Sequence, residues 1–223
     1  MERPGQPPHA GAGGLVTIGI VCLGDSTTAG TPGFLSPIEA PPRGAGNEKS
    51  QFAYWMARAH AEWEVLNRGV NGERSDQILG RFERDVVPLK PRFVVVLAGV
   101  NDVYQGFPPE FTHRNLTAIY GRTLDVGATP VACTILPYNT MGEKEKRVRR
   151  ETNGWIRAQS TKLSIPVCDT GKAAANPDRP DNLAGSPDGL HPDVDGYRRM
   201  GEVISKTIED WLAADLQTGQ ASR

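Results

Sequence analysis

Four polar clusters in this chain hold residue types suited to acyl-transfer chemistry. Ser26 sits in Gly24-Asp25-Ser26-Thr27-Thr28-Ala29-Gly30, and Gly72 closes Asn67-Arg68-Gly69-Val70-Asn71-Gly72. Asn101 sits in Gly99-Val100-Asn101-Asp102, and Asp188 precedes His191 in Asp188-Gly189-Leu190-His191-Pro192. Ester hydrolysis by a serine needs a hydroxyl that loses its proton as it attacks. It also needs a base oriented through its far ring nitrogen, and donors that meet the developing oxyanion. Ser26 offers the hydroxyl. His191 is the one histidine of four in a Gly/Pro-rich loop beside a carboxylate, and Asp188 is that carboxylate. Gly189 permits the tight turn that would bring Asp188 to Nδ1 while Nε2 faces Ser26. The candidate oxyanion donors are the backbone N–H groups of Ser26 and Gly72 and the side-chain amide of Asn101. A glycine at 72 lets backbone approach substrate closely.

Each piece also has a plainer reading. Ser26 would serve as a helix N-cap, and Asp188-Gly189 is a common turn dipeptide. Pro192-Asp193 would start a helix, and Asn101-Asp102 would cap one. The case for chemistry is the joint occurrence of these clusters at strand ends.

The elements that must position them follow from periodicity. Residues 16–23, apolar and β-branched, read as a buried strand meeting a turn at Ser26. Further strands are expected at 63–66, 92–98, 129–136 and 165–168. Helices are expected from a Ser50 N-cap through Phe52, Trp55, Met56 and Ala59; through Ile78, Leu79, Phe82 and Val86; from Phe111 to Leu124; across 143–163; and from Tyr197 to Leu212. His60 and His113 are read as packing or surface residues of their helices. The run 143–150 carries five basic and two acidic residues and reads as a solvated helix face. Strands alternating with helices imply a parallel sheet covered on both faces, a three-layer α/β/α fold around five strands. In such a sheet Ser26, Gly72 and Asn101 share the edge outside the strand carboxyl ends, where open α/β folds bind ligands. The loop 31–49 leaves the Ser26 turn directly, either to wall one side of the site or as a surface insertion.

Composition bounds the alternatives. With 223 residues the chain suits one domain, expected at 15–217 after a Pro/Gly-rich tail at 1–14. A net charge of −1 gives no footprint for nucleic acid or an anionic membrane surface. No apolar run approaches the roughly 20 residues of a membrane span. The stretch has no recognisable leader, so a cytoplasmic location is expected unless the natural start lies upstream. Cys22, Cys133 and Cys168 form no paired motif and read as buried reduced thiols.

The four clusters together resemble the blocks of the SGNH, or GDSL-type, hydrolase superfamily. These are Gly24-Asp25-Ser26, with Thr27 where leucine is usual; Asn67-x-Gly69-x-x-Gly72; Gly99-x-Asn101-Asp102; and Asp188-x-x-His191-Pro192. The resemblance implies a flavodoxin-like sheet, Ser26 as nucleophile, His191 as base and Asp188 as its orienting carboxylate. It also implies Ser26, Gly72 and Asn101 as oxyanion donors, with no cofactor and no metal. The expected activity is cleavage of carboxylic esters of short acyl groups through an acyl-enzyme, falling in acid as His191 protonates. Carbohydrate O-acetylesters, lysophospholipids and acyl thioesters are the other substrates such proteins take, and the oligomeric state is left open. A different class remains: the Gly24–Gly30 turn as a phosphate or flavin cradle of a flavodoxin-like module. That reading leaves Asp188 and His191 without a task.

Overall fold

Alternation inside the buried strands builds two cores. The computed structural model describes residues 17–221, so the expected tail at 1–14 lies outside them. The chain runs β1 (Ile18–Gly24), α1 (Ser26–Ala29), β2 (Phe34–Leu35), β3 (Ala45–Gly46), α2 (Phe52–Ala59) and β4 (Trp63–Gly69). It continues α3 (Ser75–Gly80), α4 (Phe82–Asp85), β5 (Phe93–Leu97), α5 (Val100–Tyr104) and α6 (Pro109–Asp125). It ends β6 (Thr129–Cys133), α7 (Glu143–Leu163), β7 (Val167–Cys168), α8 (Thr170–Ala174) and α9 (Val194–Ala221). Successive strand residues point to opposite faces. Ile20, Cys22, Phe93 and Val95 therefore pack with Phe52 and Met56 of α2 and Tyr197, Met200 and Ile204 of α9. Val21, Leu23, Val94 and Val96 pack with Ile78, Phe82, Leu116, Ile119 and Ile156 on the other side. Each such side chain contributes roughly 1.5–3 kcal/mol by leaving water.

The sheet is parallel throughout, in the order β4-β1-β5-β6-β7. This is the expected three-layer α/β/α arrangement. Chain order reverses at β1, which lies between β4 and β5, and such a switch point opens a crevice at the carboxyl ends of the strands. Ser26 is two residues beyond the end of β1. Among the described residues no helix is long and apolar enough to cross a membrane.

Local details differ from the periodic reading. The N-cap of α2 is Gln51, because Ser50 closes a short 3-10 turn at 48–50. Trp55 is only half-buried and Ala59 is exposed. The single helix expected after residue 75 is two, broken at Arg81, whose side chain turns under the sheet edge. Beyond Cys133 the ladder stops, since β7 pairs only with Ala132 and Cys133. The chain there is held by Asn153, which exchanges two hydrogen bonds with the Ile135 backbone. In the charged run of α7, Arg149 departs from the expected solvated face. It shares the buried stripe of Thr152, Asn153, Ile156 and Ser160, at helical spacing. The three cysteines are free and buried.

Candidate active site

Gly24 ends β1 where a side chain has no room. A Cβ there would lie 2.2 Å from the Leu97 carbonyl oxygen and from Thr28 Oγ1. The tight exit turns the chain at once into α1, so Ser26 is the first residue of a helix and its N–H has no intrahelical acceptor. Asp25 caps that helix by accepting from Thr27 N–H at 2.9 Å. The Thr27 hydroxyl donates to the same Oδ1 at 2.7 Å. The departure from leucine at 27 therefore has a role, as a second donor to a buried acid. Asp25 Oδ2 is buried without a partner among the described residues. Burial pushes this carboxyl up to about 6, against the two Thr27 hydrogen bonds that oppose the shift.

His191 reaches Ser26 from the loop before α9. Gly189 has φ +78°, a left-handed conformation that closes the turn. Asp188 Oδ1 accepts the N–H groups of Leu190 and His191 at 2.9 and 2.8 Å. Its Oδ2 lies 2.7 Å from His191 Nδ1, and His191 Nε2 lies 2.9 Å from Ser26 Oγ. Burial works to raise the Asp188 pKa, but hydrogen bonds from the His191 side chain and backbone and from Leu190 N–H outweigh it. The carboxyl is held below its ordinary range as a result. A carboxylate so fixed favours the proton on Nδ1, which leaves Nε2 free to accept from the serine.

Gly72 and Asn101 line the same cleft. Gly72 has φ +74° and nothing within 4 Å of where a Cβ would sit, so glycine is required there by conformation and not by space. One N–H of the Asn101 amide donates to the Glu73 carbonyl at 2.9 Å, which leaves its second N–H for the cleft. Asp102, the next residue, accepts from Ser75 N–H and Oγ at 3.0 and 2.5 Å. The structure thus brings all five expected residues, Ser26, Gly72, Asn101, Asp188 and His191, to one place.

The cleft encloses about 190 Å³. Its remaining wall is Thr27, Asn71, Val100, Tyr104, Tyr138 and Leu190. Sequence reasoning missed these, since nothing in their spacing marks them except proximity to the clusters. Tyr104 is 56% exposed and meets the Tyr138 ring edge-on at 5.7 Å. The Tyr138 hydroxyl is buried and unpartnered among the described residues, and burial pushes it up to about 12. No residue of the loop 31–49 lines the cleft. That loop braces the Gly72 turn from behind: Ser36 Oγ donates to the Gly69 carbonyl at 2.6 Å, and Glu39 accepts Asn71 N–H at 2.9 Å.

The model of the GDSL-like lipase/acylhydrolase family matches residues 22–199. The chain belongs to that family, a family of carboxylic ester hydrolases. The Escherichia coli thioesterase 1/protease 1/lysophospholipase L1 is 33% identical over 100 residues, 43% of this chain and 48% of that protein. The match therefore spans about half the length of this curated relative. A G-D-S-L family protein from Desulfitobacterium hafniense shares the fold with TM-score 0.72 and 23% identity, over 86% of this chain and 99% of that one. A carbohydrate acetylesterase from Sinorhizobium meliloti shares it with TM-score 0.70 and 15% identity, over 87% and 100%.

Proposed function

We propose that this chain is a serine esterase that cleaves short-chain carboxylic esters through an acyl-enzyme. The observation that supports it is the continuous line Asp188–His191–Ser26, with contacts of 2.7 and 2.9 Å. Ser26 Oγ attacks the acyl carbon while His191 Nε2 takes its proton. The C=O electron pair moves to the oxygen, which the N–H groups of Ser26, Gly72 and Asn101 receive. His191 then gives the proton to the leaving alcohol as the C–O bond breaks. Water repeats the sequence to release the acid and restore Ser26. The chemistry asks for neither a metal nor an organic cofactor.

The size of the cleft supports short acyl groups. A volume near 190 Å³ is below the ~300–1,000 Å³ of drug-sized ligand sites. Its apolar wall of Val100, Tyr104, Tyr138 and Leu190 suits a short acyl chain. Acetylated sugars fit the reading equally, with the sugar as the leaving alcohol outside the cleft. A lysophospholipid or long acyl thioester would have to run its chain out over the exposed Tyr104.

The test is a screen of p-nitrophenyl esters from acetate to palmitate, acetylated xylo-oligosaccharides and acyl thioesters, with Ser26→Ala as control. The expected profile peaks at or below hexanoate and vanishes in the variant. A maximum at palmitate would overturn the short-chain assignment. Undiminished hydrolysis by folded Ser26→Ala would overturn the mechanism.

A further inference from the structure

Arg81 stands at the break between α3 and α4, on a segment whose outward reading is a polar helix face. It is instead buried, and its side chain binds four groups. Nη2 donates to the Gly24 carbonyl at 2.7 Å, and Nη1 to the Arg68 carbonyl at 2.8 Å. Nη1 also donates to Asp85 Oδ2 at 2.7 Å, and Nε to Glu73 Oε2 at 2.6 Å. Gly24 is the last residue of β1 and Arg68 the penultimate residue of its neighbour β4. The Gly24 carbonyl also accepts Val70 N–H at 3.1 Å, so Arg81 ties the strand end to the start of the Gly72 turn. Gly24 is two residues before Ser26. Glu73 directly follows Gly72, and its carbonyl accepts from Asn101 Nδ2. Every candidate oxyanion donor is thus within two residues, or one hydrogen bond, of a group that Arg81 holds.

We propose that Arg81 is a positioning residue, which sets the separation of the three oxyanion donors by clamping the ends of β1 and β4 and the Gly72 turn with one guanidinium. It rests on the esterase reading above and adds a means of preorganisation to it. The planar fork of arginine suits the task. It presents donors in fixed directions, so carbonyls from two strands and a carboxylate from the next turn are held in one plane. An ammonium at this position has three donors on a flexible stem and cannot span the same set. Donors aimed at the oxyanion stabilise the transition state only if they need not reorganise, so loosening the clamp lowers turnover more than substrate binding.

The test uses the full chain and four variants: Ser26→Ala, Arg81→Lys, Asn101→Ala and the double variant Arg81→Lys/Asn101→Ala. A fifth, Arg149→Met, removes a buried arginine far along the sheet. Steady-state kinetics on p-nitrophenyl acetate are read beside thermal midpoints. Arg81→Lys is expected to lose about 10- to 100-fold in kcat with KM within about threefold. The Asn101→Ala loss is expected to shrink at least about threefold in the Arg81→Lys background, because the donor is already misplaced. Arg149→Met loses stability while its kcat stays within about twofold. If Arg81→Lys does not fold, Glu73→Gln cuts the same link more gently and is expected to lose about three- to tenfold in kcat. Turnover within about twofold of wild type in Arg81→Lys, or in Glu73→Gln where that chain is the one that folds, overturns the clamp. So do strictly additive losses with Asn101→Ala. Activity surviving in Ser26→Ala would strike the esterase reading and not the clamp.

Discussion

Two concavities open at the carboxyl ends of strands in this one sheet, and they are built on opposite principles. The larger, about 600 Å³, lies beside Asp169 at the end of β7. Its two acids are paired: Arg149 and Arg150 each bind Asp181 at 2.6 Å, and Arg157 binds Asp169 at 2.8 Å, while Arg149 Nε is buried without a partner among the described residues. Burial works to raise both carboxyls, but their arginine partners win and hold them below the ordinary range. The smaller cleft, at β1, β4 and β5, encloses about 190 Å³ and leaves its groups in need. Among the described residues, Asp25, directly before Ser26 on the cleft wall, has one buried oxygen without a partner and the Tyr138 hydroxyl is unpartnered; the Ser26 N–H has no intrahelical acceptor. Unpartnered, pKa-shifted groups gathered at a switch point make the smaller cleft the candidate site despite its volume.

The comparison predicts first that chemistry follows the smaller cleft alone. Ser26→Ala is expected to lower kcat by on the order of 10⁴–10⁶, whereas Lys172→Ala in the groove leaves it unchanged. Both are read as p-nitrophenyl acetate turnover. A groove variant that abolished turnover while the fold persisted would break the contrast.

Within the cleft the donors come next. Asn101→Ala is expected to cost roughly 10²–10³ in kcat with little change in KM, the usual loss for one oxyanion donor. Asn101→Asp should be at least as damaging, since it replaces a donor with a charge that repels the oxyanion. Equal losses in kcat and binding affinity would mean that Asn101 holds the ground state and not the transition state.

The contrast also shows which parts of the molecule were legible in the amino-acid sequence. β5 reads directly from Phe93–Leu97, apolar at every position as a strand covered on both faces must be. The clusters at Ser26, Gly72, Asn101 and His191 read as loops at strand ends, and parallel pairing alone brings the first three to one edge. Arg81 and Arg149 did not read. A buried arginine on an amphipathic helix looks like any polar position until its acceptors are known, and these include backbone carbonyls, which have no sequence signature, beside the carboxylates of Glu73, Asp85 and Asp181. The demand on Asp25 was hidden for a related reason. Gly-Asp-Ser reads as a turn, and only packing shows that, among the described residues, Thr27 supplies both hydrogen bonds to the Asp25 carboxyl. The break at Arg81 likewise follows from a side chain pulled beneath the sheet, a tertiary effect that overrides the helical period.

In the groove, the matched charges predict a loss of stability without a loss of chemistry. Arg149→Met removes the buried partner of Asp181 and a donor to the Ile135 carbonyl. Asp181 is part-exposed and keeps Arg150, so losing this charged hydrogen bond costs about 1.5–3 kcal/mol, which thermal or urea unfolding would detect. An Arg149→Met chain as stable as wild type would show that Arg150 alone satisfies Asp181.

The two regions should also part in their response to pH, and here the sign decides. Asp169, Asp181 and Asp188 have lowered folded values. Their contribution is present above the unfolded value near 4 and is lost on further acidification. Asp25 runs the other way. Its folded value, about 6, is above the unfolded 3.8, so between these the native state keeps a proton that the unfolded chain has released. Stability therefore falls as pH rises through that window, by up to about 3 kcal/mol. Asn at 25 keeps the oxygen that accepts from Thr27 and cannot ionise. The Tm of Asp25→Asn minus that of wild type is expected to grow between pH 4 and pH 6.5 by roughly 5 °C, and to stay level above it. His191 and Asp102 are titratable neighbours that bear on Asp25, so the same measurement in Asp25→Asn/His191→Gln separates the share of His191. Parallel Tm curves for wild type and Asp25→Asn would mean that Asp25 is ionised at no net cost. The cleft would then be as well satisfied as the groove.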